Sequence, residues 1–188
     1  MIEFNDDDQS AGAADDSDHS DGMRDRGPIP RDFYQECEDA PFTTCQACTE
    51  TLHDGREYFI VKAYHAERCV VEFALCGVCV LELSGEFSEE SWRVIRESSS
   101  AIQQHLEVAR DACAYCQKSE GELLSRSKMI VCRYDRVLEQ AMICDACDSA
   151  SQERLSAKTR DEIDDFMQEI LPGVPALEVD LPRLLLPF

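Results

Sequence analysis

The chain has 188 residues, of which 44% are hydrophobic and 30% are charged, and its formal net charge is −21. No apolar run approaches the ~20 residues that span a bilayer, and the N-terminus lacks the basic and apolar parts of a secretory signal. We therefore expect a cytoplasmic protein that does not enter a membrane. The strong negative charge repels phosphate backbones and argues against nucleic acid as a partner.

The acidic residues are concentrated near the N-terminus, where residues 1–44 carry thirteen Asp or Glu and three Lys or Arg. Residues 1–30 are also rich in Ser and Gly and lack apolar periodicity. They cannot bury enough surface to offset the entropy lost on ordering. We expect residues 1–30 to form a disordered acidic tail, which ends at Gly27-Pro28-Ile29-Pro30.

Eight of the eleven cysteines form four Cys-x-x-Cys pairs, and the gap between the first pair and the second is the same in each half of the chain. Every cysteine of the second set follows its counterpart in the first at one constant offset, which indicates an internal duplication. We predict a first module over residues 31–107 and a second over residues 108–171, each with its following helix. The two quartets are Cys45, Cys48, Cys76 and Cys79, and Cys113, Cys116, Cys144 and Cys147.

Each repeat contains a predicted β-hairpin between its two cysteine pairs. β-Branched and aromatic residues bounded by polar turns predict strands over residues 57–62 and 69–75 in the first repeat. The same pattern predicts strands over residues 128–132 and 137–143 in the second repeat. Each second cysteine pair lies where a strand gives way to a short helical segment, over residues 79–83 and 147–155.

Two longer helices follow these short segments. Ser88 is a candidate N-cap, and Thr159-x-x-Glu162 has the pattern of a capping box. The apolar residues behind them recur at helical spacing. They are Trp92, Ile95, Ile102, Leu106 and Ala109 in the first helix, and Ile163, Phe166, Met167, Ile170 and Leu171 in the second. Strands and helices together predict a small α+β fold.

The C-terminal residues 172–188 are predicted to form an extended segment that contains Pro and Leu. Leu171-Pro172-Gly173 ends the last helix. Five leucines and a phenylalanine then follow, and apolar residues in this number favour a segment that lies over an apolar groove.

The chemistry of the cysteines favours structural metal sites. In a reducing compartment, closely spaced cysteine pairs indicate metal ligands or redox centres rather than disulfides. Zn²⁺ binds four thiolates tetrahedrally, and four cysteines leave no open position for catalysis. We therefore predict two structural Zn²⁺ ions. A helix N-terminus favours negative charge, so we also expect lowered thiol pKa values in the second pair of each quartet.

The order of knuckle, hairpin and cysteine-bearing helix resembles the treble-clef group of zinc fingers, with the zinc ribbon as the nearest alternative. The resemblance covers roughly residues 40–98 and 108–171. It implies one Zn²⁺ in each cysteine quartet but no particular activity, because this group of folds carries many functions.

The sequence leaves alternatives to zinc open. Rubredoxins also join two Cys-x-x-Cys knuckles, which leaves an iron site open, and a dithiol could exchange with disulfides. The basic residues around the second hairpin are expected to be ordinary strand-edge charges, with a docking surface for an acidic partner as the alternative. They are Lys118, Arg126, Lys128, Arg133 and Arg136. We interpret Cys37, Cys69 and Cys132 as small packed residues, and His53, His65 and His105 as surface or turn residues.

The sequence contains no recognisable catalytic cluster, so we predict that the protein is not an enzyme. The favoured function is a regulatory or scaffolding protein that binds zinc and another protein. The alternatives are a redox- or metal-responsive switch that uses the cysteine quartets and, less favoured because of the charge, a zinc-finger regulator associated with nucleic acid.

Overall fold

The computed structural model describes residues 26–105 and 111–172. It contains strands β1 (Glu57–His65), β2 (Arg68–Cys76), β3 (Ser125–Arg133) and β4 (Arg136–Cys144), with helices α1 (Gly77–Gly85), α2 (Glu89–His105), α3 (Asp145–Gln152) and α4 (Ala157–Ile170). The fold is therefore α+β, as predicted. The predicted tail up to residue 25 and the C-terminal segment from residue 173 lie outside the described residues.

The duplication extends to the backbone. All four strands and all four helices start at equivalent positions in the two repeats, the strands also end at equivalent positions, and both hairpins are longer than predicted. The hairpin turns also match, because Ala66 and the equivalent Tyr134 both have positive φ, at 52° and 55°. This conformation is uncommon for residues other than glycine, so its recurrence shows that the two repeats share one detailed hairpin geometry.

The two hairpins form one antiparallel sheet in the order β2-β1-β3-β4. Val61 of β1 pairs with Met129 of β3, and these two residues are equivalent in the two repeats. A pseudo-twofold axis therefore passes through the centre of the sheet. A register shift after Ala63 recurs at the equivalent position, after Val131. The repeats are thus joined through the backbone hydrogen bonds of their first strands.

One face of the sheet is covered by residues 26–44, which we call the N-terminal strap. Its start is bonded to β4: the Arg26 N–H donates to the Val137 carbonyl over 2.9 Å, and the Val137 N–H donates to the Gly27 carbonyl over 2.9 Å. Phe33 is buried in the core, and the Glu36 N–H donates to the carboxylate of Glu72 on β2. The strap thus crosses the sheet from one edge to the other, and it includes residues 26–30 of the predicted tail.

Two basic residues on the central strands are buried rather than exposed at an edge. Lys62 is 1% exposed and Arg126 is 4% exposed. Lys62 Nζ lies 3.0 Å from Glu36 and 3.1 Å from Glu72. Arg126 Nε lies 2.7 Å from Glu120. For Arg126 and Lys128 the interpretation as strand-edge charges is wrong, because β3 is an internal strand and acidic side chains from loops reach over it. Arg133 remains exposed, and Arg136 lies on the edge strand β4.

The ion pairs of Glu120 with Arg126 and Lys128 make the stability of the fold sensitive to acid. Burial opposes its ionisation, but hydrogen bonds and charges from Lys128 and Arg126 outweigh burial and lower the pKa of Glu120. A lowered pKa in the folded state gives stability above the unfolded pKa of about 4.3, and this stability is lost as the pH falls through the folded value. We expect Glu120→Gln to reduce the acid dependence of the unfolding free energy, measured by urea titrations between pH 3 and pH 7. An unchanged dependence would contradict this.

The helices α2 and α4 meet at their N-termini, near the pseudo-twofold axis, through four hydroxyl groups. Ser88 caps α2 as predicted, since its hydroxyl accepts from the Ser91 N–H. The cap of α4 is Ser156, which accepts from the Thr159 N–H, so the prediction of a capping box that begins at Thr159 is wrong. Each cap N–H is satisfied by the other helix: Ser88 donates to Thr159 Oγ1 over 3.1 Å, and Ser156 donates to Ser91 Oγ over 2.9 Å.

Because each cap depends on a hydroxyl of the other helix, removing one of these hydroxyls should lower the unfolding free energy. Thr159→Val keeps the shape of a fully buried side chain but removes the acceptor for the Ser88 N–H. A buried donor left without an acceptor costs about 1–3 kcal/mol. We expect Thr159→Val to lower the unfolding free energy by this amount in denaturant titrations, whereas Thr159→Ser, which retains the hydroxyl, should lose markedly less. Equal losses in the two variants would rule out the hydrogen bond as the cause.

The predicted apolar faces of both long helices are turned to the interior. Ile95, Ile102, Ile163, Met167 and Ile170 are all buried. Leu106 and Ala109 of the predicted first face lie outside the described residues. None of the described helices has both the length and the apolar character needed to cross a membrane.

Candidate metal centres

The first cysteine pair of each repeat sits in a tight knuckle. The Thr49 N–H donates to the Cys45 carbonyl over 2.9 Å, and the Cys45 N–H donates to the Glu50 carbonyl over 2.8 Å. Thr49 and its equivalent Gln117 have positive φ, at 62° and 61°. In the second repeat, the Gln117 N–H makes the equivalent bond to the Cys113 carbonyl, also over 2.9 Å. Each knuckle thus directs both of its thiols toward the end of the adjacent hairpin.

The second cysteine pair is positioned by the junction between strand and helix. Cys76 is the last residue of β2 and the N-cap of α1, and Cys79 lies in the first turn of that helix. The knuckle is bonded to the same strand, because the Gln46 N–H donates to the Ala74 carbonyl over 2.9 Å. Cys144 and Cys147 occupy the equivalent places on β4 and α3. Backbone hydrogen bonds therefore place the two pairs close together.

The structure brings the eight predicted cysteines together in the two predicted quartets. Within each quartet, all four sulfurs lie within 4.8 Å of one another. The Sγ atoms of Cys48 and Cys76 are 3.7 Å apart, and those of Cys116 and Cys144 are also 3.7 Å apart. A tetrahedral ion with metal–sulfur bonds of about 2.3 Å requires sulfurs about 3.8 Å apart. Each quartet could therefore hold a metal ion in tetrahedral geometry.

Backbone groups prepare one thiolate in each quartet. Burial opposes the ionisation of Cys45, but N–H groups of Cys48 and Cys76 outweigh burial and lower the pKa of Cys45 to about 7. The Cys76 N–H lies 3.3 Å from Cys45 Sγ. In the second quartet, the Lys118 N–H lowers the pKa of the Cys116 thiol. Each site thus has one thiol whose ionisation, and with it cation binding, is favoured by backbone N–H groups.

The pKa values of the thiols in the second pair of each quartet are raised instead of lowered. Burial, together with the neighbouring sulfurs, raises the pKa of Cys79 and of Cys147. Burial also raises the pKa values of Cys76 and Cys144. The expectation of lowered pKa values at the helix N-termini is therefore wrong, because burial, followed by the proximity of the other sulfurs, outweighs the effect of the helix N-terminus. A divalent cation would remove the repulsion between neighbouring thiolates, which explains why such a cluster favours metal.

The remaining cysteines and the described histidines stay outside the quartets. Cys37 is exposed, Cys69 is half-buried and Cys132 is buried. His53 Nε2 lies 3.2 Å from the Phe42 carbonyl oxygen, and His65 Nδ1 lies 2.9 Å from the Ser125 hydroxyl. The placements of Cys69, Cys132 and the two histidines agree with packing and turn roles, whereas the interpretation of Cys37 as a packed residue is wrong, because it is exposed.

Sequence reasoning missed a third group of potential ligands, formed by Glu36, Cys69 and Glu72. The N-terminal strap brings Glu36 to the hairpin, and no local pattern signals this contact. Lys62 already places its ammonium group 3.0 Å from Glu36 and 3.1 Å from Glu72. The cation of this group is therefore a lysine, and we assign no metal to it.

Comparison with known proteins does not assign the chain to a family. No protein-family model matches it, and neither a curated protein nor a solved structure is similar enough to count as a match. The geometry of the two quartets is therefore the basis for any statement about function.

Proposed function

We propose that this chain is a non-enzymatic zinc protein that binds one structural Zn²⁺ in each cysteine quartet and acts by binding another protein. The observation that carries the proposal is the duplicated geometry of four sulfurs, each set spaced for a tetrahedral ion. Four thiolate ligands complete the coordination of Zn²⁺ and leave no position for a substrate or a reactive water. The metal then supplies folding energy rather than chemistry.

A structural zinc site is favoured over the two alternatives, a redox-active dithiol and an iron site. A redox dithiol needs one accessible pair of low pKa, but most thiols of both quartets are buried and the helix-borne thiols have raised pKa values. Iron knuckles of the rubredoxin type usually carry Gly and Pro beside the cysteines, and among these four pairs only Gly77 lies within a pair. Zinc also has no redox chemistry, which suits a site that supports the fold.

Binding to another protein is supported by the surface of the first repeat. Val78 and Leu81 of α1 are large apolar residues that remain exposed beside the first quartet. The formal charge of −21 disfavours nucleic acid as the partner. The structural zinc sites then serve to hold a helix and a sheet edge in a fixed relation, as a rigid scaffold for contact.

The metal content tests the proposal directly. We expect two equivalents of zinc per chain in purified protein, measured by elemental analysis and by native mass spectrometry. The eight quartet thiols should resist alkylation until a strong chelator is added, whereas exposed Cys37 should react at once and serves as the internal control. Iron in place of zinc, or a content near one equivalent, would contradict the proposal.

A redox-responsive switch is the second candidate, and one observation favours it. Each quartet has one exposed ligand, Cys48 or Cys116, whose sulfur lies 3.7 Å from a second ligand. Peroxide could oxidise the exposed thiolate to a sulfenic acid, which the neighbouring thiol would convert to a disulfide with loss of water. Release of zinc by mild peroxide, with a disulfide found by mass spectrometry, would favour the switch over a static site.

A further inference from the structure

A largely apolar cleft between the two repeats is not used by the metal sites. It has a volume of about 600 Å³ and lies between α1, the C-terminal part of α2 and strands β1, β3 and β4. Its lining includes Phe59, Val80, Val131 and Leu138. Four charged residues also line it: Arg56, Glu57, Arg133 and Glu139. Two more lining residues stay open to solvent at its rim, since Val78 is 38% exposed and Leu81 is 64% exposed.

The duplication shows that the fold does not require this apolar surface. At the positions equivalent to Phe59, Val78 and Leu81, the second repeat has Ser127, Ala146 and Ser149. The two repeats share the same backbone elements at a constant offset, so these smaller residues satisfy the same local geometry. The shared backbone does not require a leucine at the exposed position of Leu81, because serine occupies the equivalent position in the second repeat, and an apolar ligand in the cleft would explain the leucine.

The chain carries a segment with the matching composition. Residues 174–188 read Val-Pro-Ala-Leu-Glu-Val-Asp-Leu-Pro-Arg-Leu-Leu-Leu-Pro-Phe. Pro175, Pro182 and Pro187 interrupt helix formation and favour an extended backbone. An extended strand of this kind can place several leucines in a cleft while its few charged residues face water.

The length of the segment makes the cleft reachable. α4 contacts α1, with Lys158 of its first turn bonded to the Glu86 carbonyl at the end of α1, and α4 ends at Ile170. Residues 173–188 can extend over roughly 50 Å, at about 3.3 Å per residue. A single domain of this size is only about 30–40 Å across, on the scaling of its radius of gyration. The segment can therefore reach the cleft of its own chain.

We propose that residues 174–188 bind in the apolar cleft of the same chain, with their leucines against Phe59, Leu81 and Val131. A protein partner that uses the same cleft must then displace this segment. The assignment does not depend on which metal occupies the quartets.

Arg183 allows a test in the full-length protein, because it is the only basic residue between 173 and 188. Trypsin cleavage after Arg183 releases the pentapeptide 184–188, which mass spectrometry can quantify over time. We expect this cleavage to be at least tenfold slower in the intact protein than in a synthetic peptide of residues 173–188. Leu81→Glu should raise the rate in the intact protein to that of the peptide.

Leu124 provides the matched control. It is a leucine of the second repeat with 65% exposure, against 64% for Leu81, and Leu124→Glu should leave the protected rate unchanged. Cleavage of the native protein at the peptide rate, or equal rates in the two variants, overturns the proposal. Protection that grows with protein concentration also overturns it, since it shows that the segment binds a second copy. Zinc analysis of the same samples tests the proposed function separately.

Discussion

Cys45→Ser is expected to abolish cooperative folding of the first repeat at room temperature. Cys45 is buried at the centre of the first quartet, and serine provides a hydroxyl that does not ionise to replace a thiolate. Structural zinc sites in small peptides supply on the order of 10–16 kcal/mol. This is comparable with the whole stability of a typical domain, about 5–15 kcal/mol. If the variant no longer holds zinc, the free energy lost is therefore large enough to unfold the repeat.

The shared sheet should spread this effect to the second repeat. β1 and β3 pair along their full length, so unfolding of the first hairpin exposes the central strand of the second. We expect Cys45→Ser and the equivalent Cys113→Ser both to lose the cooperative transition in calorimetry and circular dichroism. A strong chelator should have the same effect on the native protein, and added Zn²⁺ should reverse it.

Two controls separate loss of metal from loss of a cysteine. Cys132→Ala removes a buried thiol outside the quartets, and Cys37→Ser removes an exposed one. Both variants should keep two equivalents of zinc and a cooperative transition, with a cost of no more than about 1–2 kcal/mol for the buried site. A metal-free, fully alkylated chain as stable to heat as the native protein would show that the quartets do not support the fold.

Phe33→Ala is expected to destabilise the protein more than truncation of its neighbours in the N-terminal strap. Phe33 is almost fully buried where the strap covers the sheet. Truncation of a buried phenylalanine to alanine costs about 3–5 kcal/mol, because it removes apolar contacts and leaves a cavity. We expect a loss of this size in urea titrations of the zinc-loaded protein.

The loss should be accompanied by release of the strap. Cleavage after Arg31 by trypsin should become faster in Phe33→Ala, since Phe33 anchors this part of the strap against the core. Tyr34→Ala is the matched control: the neighbouring tyrosine is only half-buried, so its truncation should cost clearly less and leave cleavage slow. Equal effects of the two substitutions would show that the strap has no specific anchor at Phe33.

The sequence allowed much of the candidate metal sites to be predicted, because their signal is local and duplicated. The spacing of cysteines, the turn residues between them and the strand-forming runs all lie within short windows. The constant offset between the two halves of the chain turned a weak pattern into a strong one. The grouping of eight cysteines into two quartets was therefore available before the structure, although the identity of the metal remains a proposal.

The pairing of the two hairpins could not be predicted from the same signals. β1 is buried on both faces over most of its length, so its sequence lacks the alternation that would show which side faces a neighbour. Lys128, which lies opposite Lys62 of β1 in the sheet, is interpreted from the sequence as an ordinary strand-edge charge. Only the acidic residues brought over the two lysines by the loops make their burial stable, and those contacts join positions that are distant in the sequence.

The sequence by itself determined the duplication, the two sets of candidate metal-binding thiols and the location of most helices and strands, because each depends on spacing within one repeat. The tertiary structure alone decided how the repeats join, which hydroxyls exchange partners between α2 and α4, and which thiols ionise most readily. These features depend on burial and on charges from distant segments, and neither quantity exists until the sheet has formed. The raised pKa of Cys79 is an example, since burial and crowding among four sulfurs outweigh what its place in a helix predicts.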